Sequence, residues 1–428
     1  MKNRNIIIIF LILPIYISFV LLFSCTSTPM PQNPSVVIPD DFLGIVAGST
    51  NPEEYQLLDE LGACWILKTF YWRKIEKEKG IFDFSEFDEL VDMAKSNGIK
   101  IIVILGYDTP WLDPEHKSKK YVSPENISHY LDYVEETILH FKGQVDVWQI
   151  WNEPNIIFWK GPRQDFYELT GLTALKIREV DPEACIIGGV FFRSPQGYIK
   201  AMGESGATNN LDGLAFHPYA VNPEGSMKVH DRFIKYLADI NFDGSIWITE
   251  AGYPTRGIYP SKVSLIKLPS YVVKTITGAA ARRTRAFLWY EMFDSYNKKE
   301  APRTWNSEHF FGLVYPDYQK KDGAWAYELC SRFLPGSRYI PDFPNKENIP
   351  SNVKTFYFEG GISGNNTLIL WKDGIGKIKL HLELPASAFL YDISNGSSKP
   401  VHSASLIEIS KKPIIITFQG NSPPFIYK

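Results

Sequence analysis

Two glutamates, Glu153 and Glu250, each close an apolar run. Val145-Asp-Val-Trp-Gln-Ile-Trp-Asn-Glu-Pro154 reads as a buried strand that runs into Asn152-Glu153-Pro154, and Ser245-Ile-Trp-Ile-Thr-Glu250 has the same design. A carboxylate at the end of a hydrophobic strand is costly to bury without a partner. Strand ends in α/β folds, however, are where rigid backbone meets a ligand cleft. Two carboxyls facing one substrate suit the cleavage of a glycosidic bond: one protonated to help the oxygen depart, the other ionised as a nucleophile or as a base for water. Environment divides the roles, because a carboxyl that is desolvated or near a second negative charge keeps its proton to higher pH.

The elements that must position these groups follow from periodicity. Apolar runs at 43–48, 64–70, 100–106, 145–151, 185–191, 211–217, 245–250 and 286–291 predict eight strands. Helical patterns separate them; in one, Phe87, Leu90, Val91 and Ala94 fall on one face, Ser85 is placed to cap with Asp88 three residues on, and Asn97-Gly98 stops the helix. No Gly-rich phosphate loop follows the first run, so an open dinucleotide-binding sheet is disfavoured. The expected fold is α/β, a (β/α)8 TIM barrel over residues 41–340. Short strands separated by turns then predict a small all-β, sandwich-like domain over 341–428, with Asp373-Gly374 and Asn395-Gly396 as hairpin signals.

With 44% apolar and 22% charged residues and a net charge of −3, the composition is that of a globular protein and gives no reason to expect nucleic acid as a partner. Lys2 and Arg4 precede an apolar run from Ile6 to Phe23, then Ser24 and Cys25. This resembles a bacterial lipoprotein signal over 1–24, with Cys25 lipidated and residues 25–40 a Pro/Ser/Thr-rich tether. An uncleaved membrane anchor is the alternative; Pro14 within the run and the cysteine directly after it favour the lipoprotein. Either way the protein is expected to be exported and held at a membrane, on a periplasmic or cell-surface face. Cys64, Cys185 and Cys330 sit in apolar patterns at unrelated spacings and read as small buried hydrophobes, with no disulfide framework or metal site.

Taken together, Trp151-Asn-Glu-Pro-Asn155 with Phe158-Trp159, Phe216-His-Pro-Tyr219 and Ile248-Thr-Glu-Ala-Gly252 resemble the large clan of retaining (β/α)8 glycoside hydrolases. They are most similar to glycoside hydrolase family 39 and related exopolysaccharide hydrolases. The resemblance implies a monomeric enzyme needing no cofactor, with Glu153 as acid/base, Glu250 as nucleophile and a carbohydrate as substrate. It implies that Asn152 bonds the sugar 2-hydroxyl, Tyr219 orients Glu250, His217 lines the same wall and Trp289 forms the floor. Trp111, Trp159 and Trp305 lie in loops after strands and are candidates for further sugar subsites, with Asp108 and Glu291 as candidate contacts. One position departs from the pattern: where the clan often carries an arginine supporting the nucleophile, this chain has Leu67, and Lys68 points to the other side of an ideal strand. That departure supports a rival expectation, a surface lipoprotein that binds carbohydrate on the same barrel with impaired turnover.

Overall fold

The computed structural model describes residues 35–112, 120–258, 260–299, 306–344, 346–385, 387–402, 405–420 and 425–427. The signal segment, Cys25 and Trp305 lie outside the described residues. Strands Leu43–Ile45, Trp65–Tyr71, Lys100–Gly106, Val147–Ile150, Ile186–Phe192, Gly213–His217, Ser245–Ala251 and Thr284–Trp289 close a barrel, numbered one to eight below. The first strand pairs in parallel with the eighth, Gly44 opposite Leu288. Continuous apolar runs such as Ile101–Leu105 are what strands covered on both faces require.

Alternation sets which side chains fill the barrel. Trp65, Leu67, Ile102, Ile104, Val147, Ala215, Trp247, Ala286 and Leu288 pack in its interior, while Ile66, Phe70, Val103, Phe287 and Trp289 face the helices. Helix Ser85–Ser96 buries Phe87, Leu90, Val91 and Ala94, the face its spacing requires. Its start differs from expectation: Ser85 is the first helical residue, and Asp83 Oδ1 accepts from both its backbone N–H and its hydroxyl. A helix at Gln196–Glu204 was not expected; its sequence, QGYIKAMGE, carries two glycines and little helical propensity.

The C-terminal strands form two antiparallel sheets. One has seven strands, in the order Val36–Val37, Ser337–Ile340, Val353–Gly360, Asn366–Lys372, Ile414–Phe418, Ala388–Tyr391, Ser398–Val401; the other has Ser405–Ile409, Ile378–Glu383 and Phe425–Tyr427. Leu368, Leu370, Leu380, Leu382 and Ile416 fill the space between them. Three expectations are corrected. Val36 and Val37 pair with Tyr339 and Arg338, and Ile38 is buried, so residues 36–38 are an edge of this sheet rather than tether. The sheet begins at Ser337, ahead of the boundary expected at 341. Asp373-Gly374 leads from one sheet to the other and makes no hairpin, whereas Asn395-Gly396 does join paired strands.

The outer face of the seven-stranded sheet packs on the barrel: Phe358, Ile369, Trp371 and Ile415 belong to one continuous core with the barrel helices, and the Lys274 ammonium lies 5.3 Å from the Trp371 ring centre. Barrel and sheet should therefore unfold together. Trp371→Ala is expected to cost about 3–5 kcal/mol and to lower a single transition seen alike by far-ultraviolet circular dichroism and tryptophan fluorescence. Two separated transitions in the variant would contradict a shared core.

Candidate active site

Strand four delivers Glu153 through a left-handed backbone. Trp151 (φ 62°) and Glu153 (φ 41°) occupy a region that costs residues with a side chain about 1–3 kcal/mol each and persists only where surroundings enforce it. Here the enforcement is visible. The Trp151 indole donates to the Phe158 carbonyl at 2.8 Å, and the Glu153 N–H donates to the Val190 carbonyl at 2.9 Å. Val190 lies in an irregularity of strand five between Gly188 and Phe191. On strand seven, Ile246 and Ile248 face outward, so simple alternation would carry Glu250 outward too; a register shift between Ile248 and Ala251 brings it to the mouth instead. Gly252 then lets strand eight approach, since a Cβ there would sit 1.8 Å from the Tyr290 carbonyl oxygen.

The two carboxyls meet at His217. One oxygen from each glutamate and a His217 nitrogen all lie within 4.8 Å of one another. His217 Nδ1 is 2.7 Å from Glu153 Oε1 and 3.6 Å from Glu250 Oε2, and its Nε2 is 3.1 Å from Thr249 Oγ1. Both ring nitrogens are thus engaged, which marks the trio as a hydrogen-bonded charge cluster although its spacing would also fit a metal ion. Burial by itself would strip the imidazole of its proton, but the Glu250 charge and the Glu153 hydrogen bond outweigh it and raise the His217 pKa. Glu250 is pushed up to about 7, chiefly by burial; His217 opposes this, Glu153 and Glu308 add to it, and the Tyr219 hydroxyl, 3.5 Å from Oε2, favours the ionised form.

A cavity of about 440 Å³ opens over this trio, lined among others by Asn152, Glu153, Tyr219 and Glu250. Tyr290, Glu308, Phe311, Phe192 and the run Ile156–Phe158 complete the lining. Glu308 accepts from the Tyr290 hydroxyl at 3.4 Å; burial raises its pKa, that hydrogen bond opposes the rise, and the Glu153 charge adds to it. The loop carrying Glu308 and Phe311 is held by an ion pair in the interior, Lys321 Nζ to Asp294 Oδ1 at 2.7 Å, with the Gly312 N–H on the same oxygen at 2.9 Å. Breaking such a pair leaves a buried charge unpaired.

The fold has known counterparts. A family 39 glycoside hydrolase from Bacteroides cellulosilyticus WH2 superposes with a TM-score of 0.76 at 18% identity, covering 89% of this chain and 81% of that one. The chain shares the fold of a family 39 glycoside hydrolase. A monomeric beta-xylosidase from Caulobacter crescentus CB15 gives 0.64 at 12% identity, covering 89% and 96%. In sequence, the glycoside hydrolase family 42 profile, described as beta-galactosidase, matches residues 47–121. Endo-1,4-beta-xylanase A of Phanerodontia chrysosporium is 29% identical over 166 residues, 35% of this chain and 40% of the xylanase, so the match spans well under half of that relative. The expected resemblance and barrel-plus-sandwich architecture are found in these neighbours.

Of the residues singled out from sequence, Asn152, Glu153, His217, Tyr219 and Glu250 converge, and three tryptophans do not. Trp289 is fully buried on the outward face of strand eight, and Tyr290, the next residue, lines the cavity in its place. Alternation from Ala286 and Leu288, both interior, carries that signal. Trp159 is buried edge-on against Trp151, leaving Phe158 at the cavity. Trp111 donates to the Glu76 carbonyl and packs edge-on against Trp72, away from the lining. Glu291 is not among the residues lining the cavity; its carboxyl is pushed up to about 8 by burial and by the charges of Glu308, Asp294 and Glu250, against the opposing Lys321. Leu67 is an interior core residue, and Lys68 donates to the Gly48 carbonyl, so neither brings a cation to Glu250. Glu308 went unrecognised because it sits in a 3-10 turn, Ser307–Phe310, with no strand to announce it.

The raised Glu250 has a consequence for stability. A group whose folded pKa lies above its unfolded value favours folding at low pH, and the contribution is lost as pH rises through the folded value. Glu250→Gln, which cannot ionise, is therefore expected to be more stable than wild type at pH 8, on the order of 2 kcal/mol, with the difference closing toward pH 4.5. Urea unfolding at both pH values checks this; a variant less stable at pH 8 would contradict it.

Proposed function

We propose that this protein is a retaining glycoside hydrolase acting on β-linked poly- or oligosaccharides or related glycosides. The observation that carries the reading is the pair of strand-end carboxyls, with oxygens within 4.8 Å of one another over a cavity and one imidazole between them. Retaining enzymes hold their carboxyls about 5–5.5 Å apart, and inverting ones need about 6.5–9.5 Å to admit a water. In this reading Glu250 attacks the anomeric carbon in its ionised form, which prevails above about pH 7 and which the His217 charge and the Tyr219 hydroxyl favour, while Glu153 protonates the leaving oxygen. Once Glu250 is esterified its charge is gone, and Glu153, bonded to His217, becomes the base that activates water. Asn152 contacts the sugar 2-hydroxyl, and Tyr290 supplies the surface first assigned to Trp289.

His217 also answers the absence of the usual arginine. It is the cation nearest Glu250 among the described residues that contact it, and Tyr219 adds a hydroxyl. Xylanase and xylosidase relatives make β-xylosides the first substrates to try.

The test is turnover of 4-nitrophenyl β-xyloside, β-glucoside and β-galactoside and of xylan by the protein and two variants. Glu250→Gln is expected to lose about 10³-fold or more in kcat/KM on every substrate, roughly 4 kcal/mol of transition-state stabilisation. Glu153→Gln should lose as much on xylan but far less on the aryl glycosides, whose leaving groups need little protonation. Undiminished turnover in Glu250→Gln would sink the assignment. Glycan binding without turnover, equal in wild type and variant, would establish the rival carbohydrate-binding role.

A further inference from the structure

The cavity has two unlike walls. Around Glu250 stand Tyr219, Tyr290, Glu308 and Phe311: Tyr219 reaches Glu250, Tyr290 bonds Glu308, and the Phe311 ring packs edge-on against both tyrosines at 6.3 and 5.3 Å. This wall offers hydroxyls and carboxylates to a sugar ring. On the Glu153 side the wall is Ile156, Ile157 and Phe158, which begin three residues after the acid in a turn closed by Ile156 N–H to Glu153 C=O at 3.2 Å.

Beyond Asn152 and Glu153 themselves, that second wall carries no polar side chain among the described residues lining the cavity. Asn155, the polar residue of the turn, spends both ends of its amide on the Phe192 backbone, at 2.9 Å each. Phe158 offers no open platform for stacking a sugar: Tyr107 is stacked on it at 5.9 Å and the Lys120 ammonium lies 3.8 Å from its ring centre. Ile157 nevertheless stands 67% exposed and Ile156 39% exposed at the cavity edge. Apolar side chains left open at the rim of a cavity mark a place where an apolar ligand group leaves water.

Chemistry fixes which part of the substrate lies there. The acid must reach the oxygen joining the sugar to its leaving group, and the nucleophile must reach the anomeric carbon from the opposite side. The sugar therefore lies against the Glu250 wall, and the leaving group passes over Ile156 and Ile157. We propose that the preferred leaving group is an apolar alcohol, such as an alkyl chain, rather than a further sugar. A second sugar would have to desolvate hydroxyls against this wall without replacement hydrogen bonds. The reaction is hydrolysis: the anomeric C–O bond breaks, water supplies hydroxyl to that carbon, and the alcohol leaves carrying the proton from Glu153. The proposal rests on the glycosidase reading and narrows its substrate.

The experiment compares kcat/KM of the full chain on methyl and n-octyl β-glycosides of xylose, glucose and galactose, kept below micelle-forming concentrations, with xylobiose, cellobiose and 1,4-β-galactobiose. Octyl glycosides are expected to exceed methyl glycosides by about 100-fold, the gain when three to four methylenes leave water at roughly 4-fold each, and to exceed the disaccharide. Ile157→Asn and Ile156→Asn, both at partly or largely exposed positions, should each cut the octyl-to-methyl ratio by about 10-fold, mainly through KM. A disaccharide cleaved faster than its octyl counterpart, or ratios unmoved in both variants, would overturn the proposal while leaving the glycosidase reading intact. Failure to cleave any glycoside in either series would remove that reading and the proposal with it.

Discussion

Two carboxyl groups and one imidazole share a space from which water is largely excluded, and much of the barrel mouth is arranged around that cost. Like charges this close do not both ionise without compensation. His217, wholly buried, supplies the compensating charge through Nδ1 while Thr249 fixes its other nitrogen. The balance is finely held: burial works against the charged forms of both His217 and Glu250, and the attraction between these two groups opposes it. A site of this kind is destabilising to the fold and useful to the chemistry for the same reason: its charges are poorly solvated until a substrate arrives.

Holding those three groups in register falls to irregular backbone at the ends of regular strands. The left-handed Trp151 and Glu153, the break in strand five at Gly188–Phe191 and the shift in strand seven near Glu250 all lie on the same rim. Each departs from ideal strand geometry where a side chain must be re-aimed, and each is held by a specific backbone bond or close packing. Further out, the buried Lys321–Asp294 pair anchors the loop that brings Glu308 and Phe311 over the cavity. Beneath all this, the interior of alternating aliphatic and tryptophan side chains is a packed plug, leaving chemistry to the rim alone.

How much of this could be read from sequence depended on whether the signal was periodic. Barrel strands were legible because covered strands must be continuously apolar, and the glutamates because a charge ending such a run has few structural uses. Trp289 enters the site through the family resemblance, whereas parity points to Tyr290: Ala286 and Leu288 face inward, so the next inward position is 290. Glu308 could not be found, since a short turn in a loop carries no period. The edge strand Val36–Val37 was hidden for a related reason: two residues within a Pro-rich stretch look like linker until their partner, more than 300 positions away, is in place.

The central claim is that Glu250, and no other carboxyl in the cavity, forms a covalent bond to the sugar. Incubating the protein with 2,4-dinitrophenyl 2-deoxy-2-fluoro-β-glycosides of xylose, glucose and galactose, then mapping the label by peptide mass spectrometry, tests it most directly. The account predicts a single glycosyl adduct on Glu250, with burst release of dinitrophenol equal to the enzyme present. An adduct on Glu153 or Glu308 instead, or turnover of the corresponding non-fluorinated glycosides with inversion at the anomeric carbon, would contradict it.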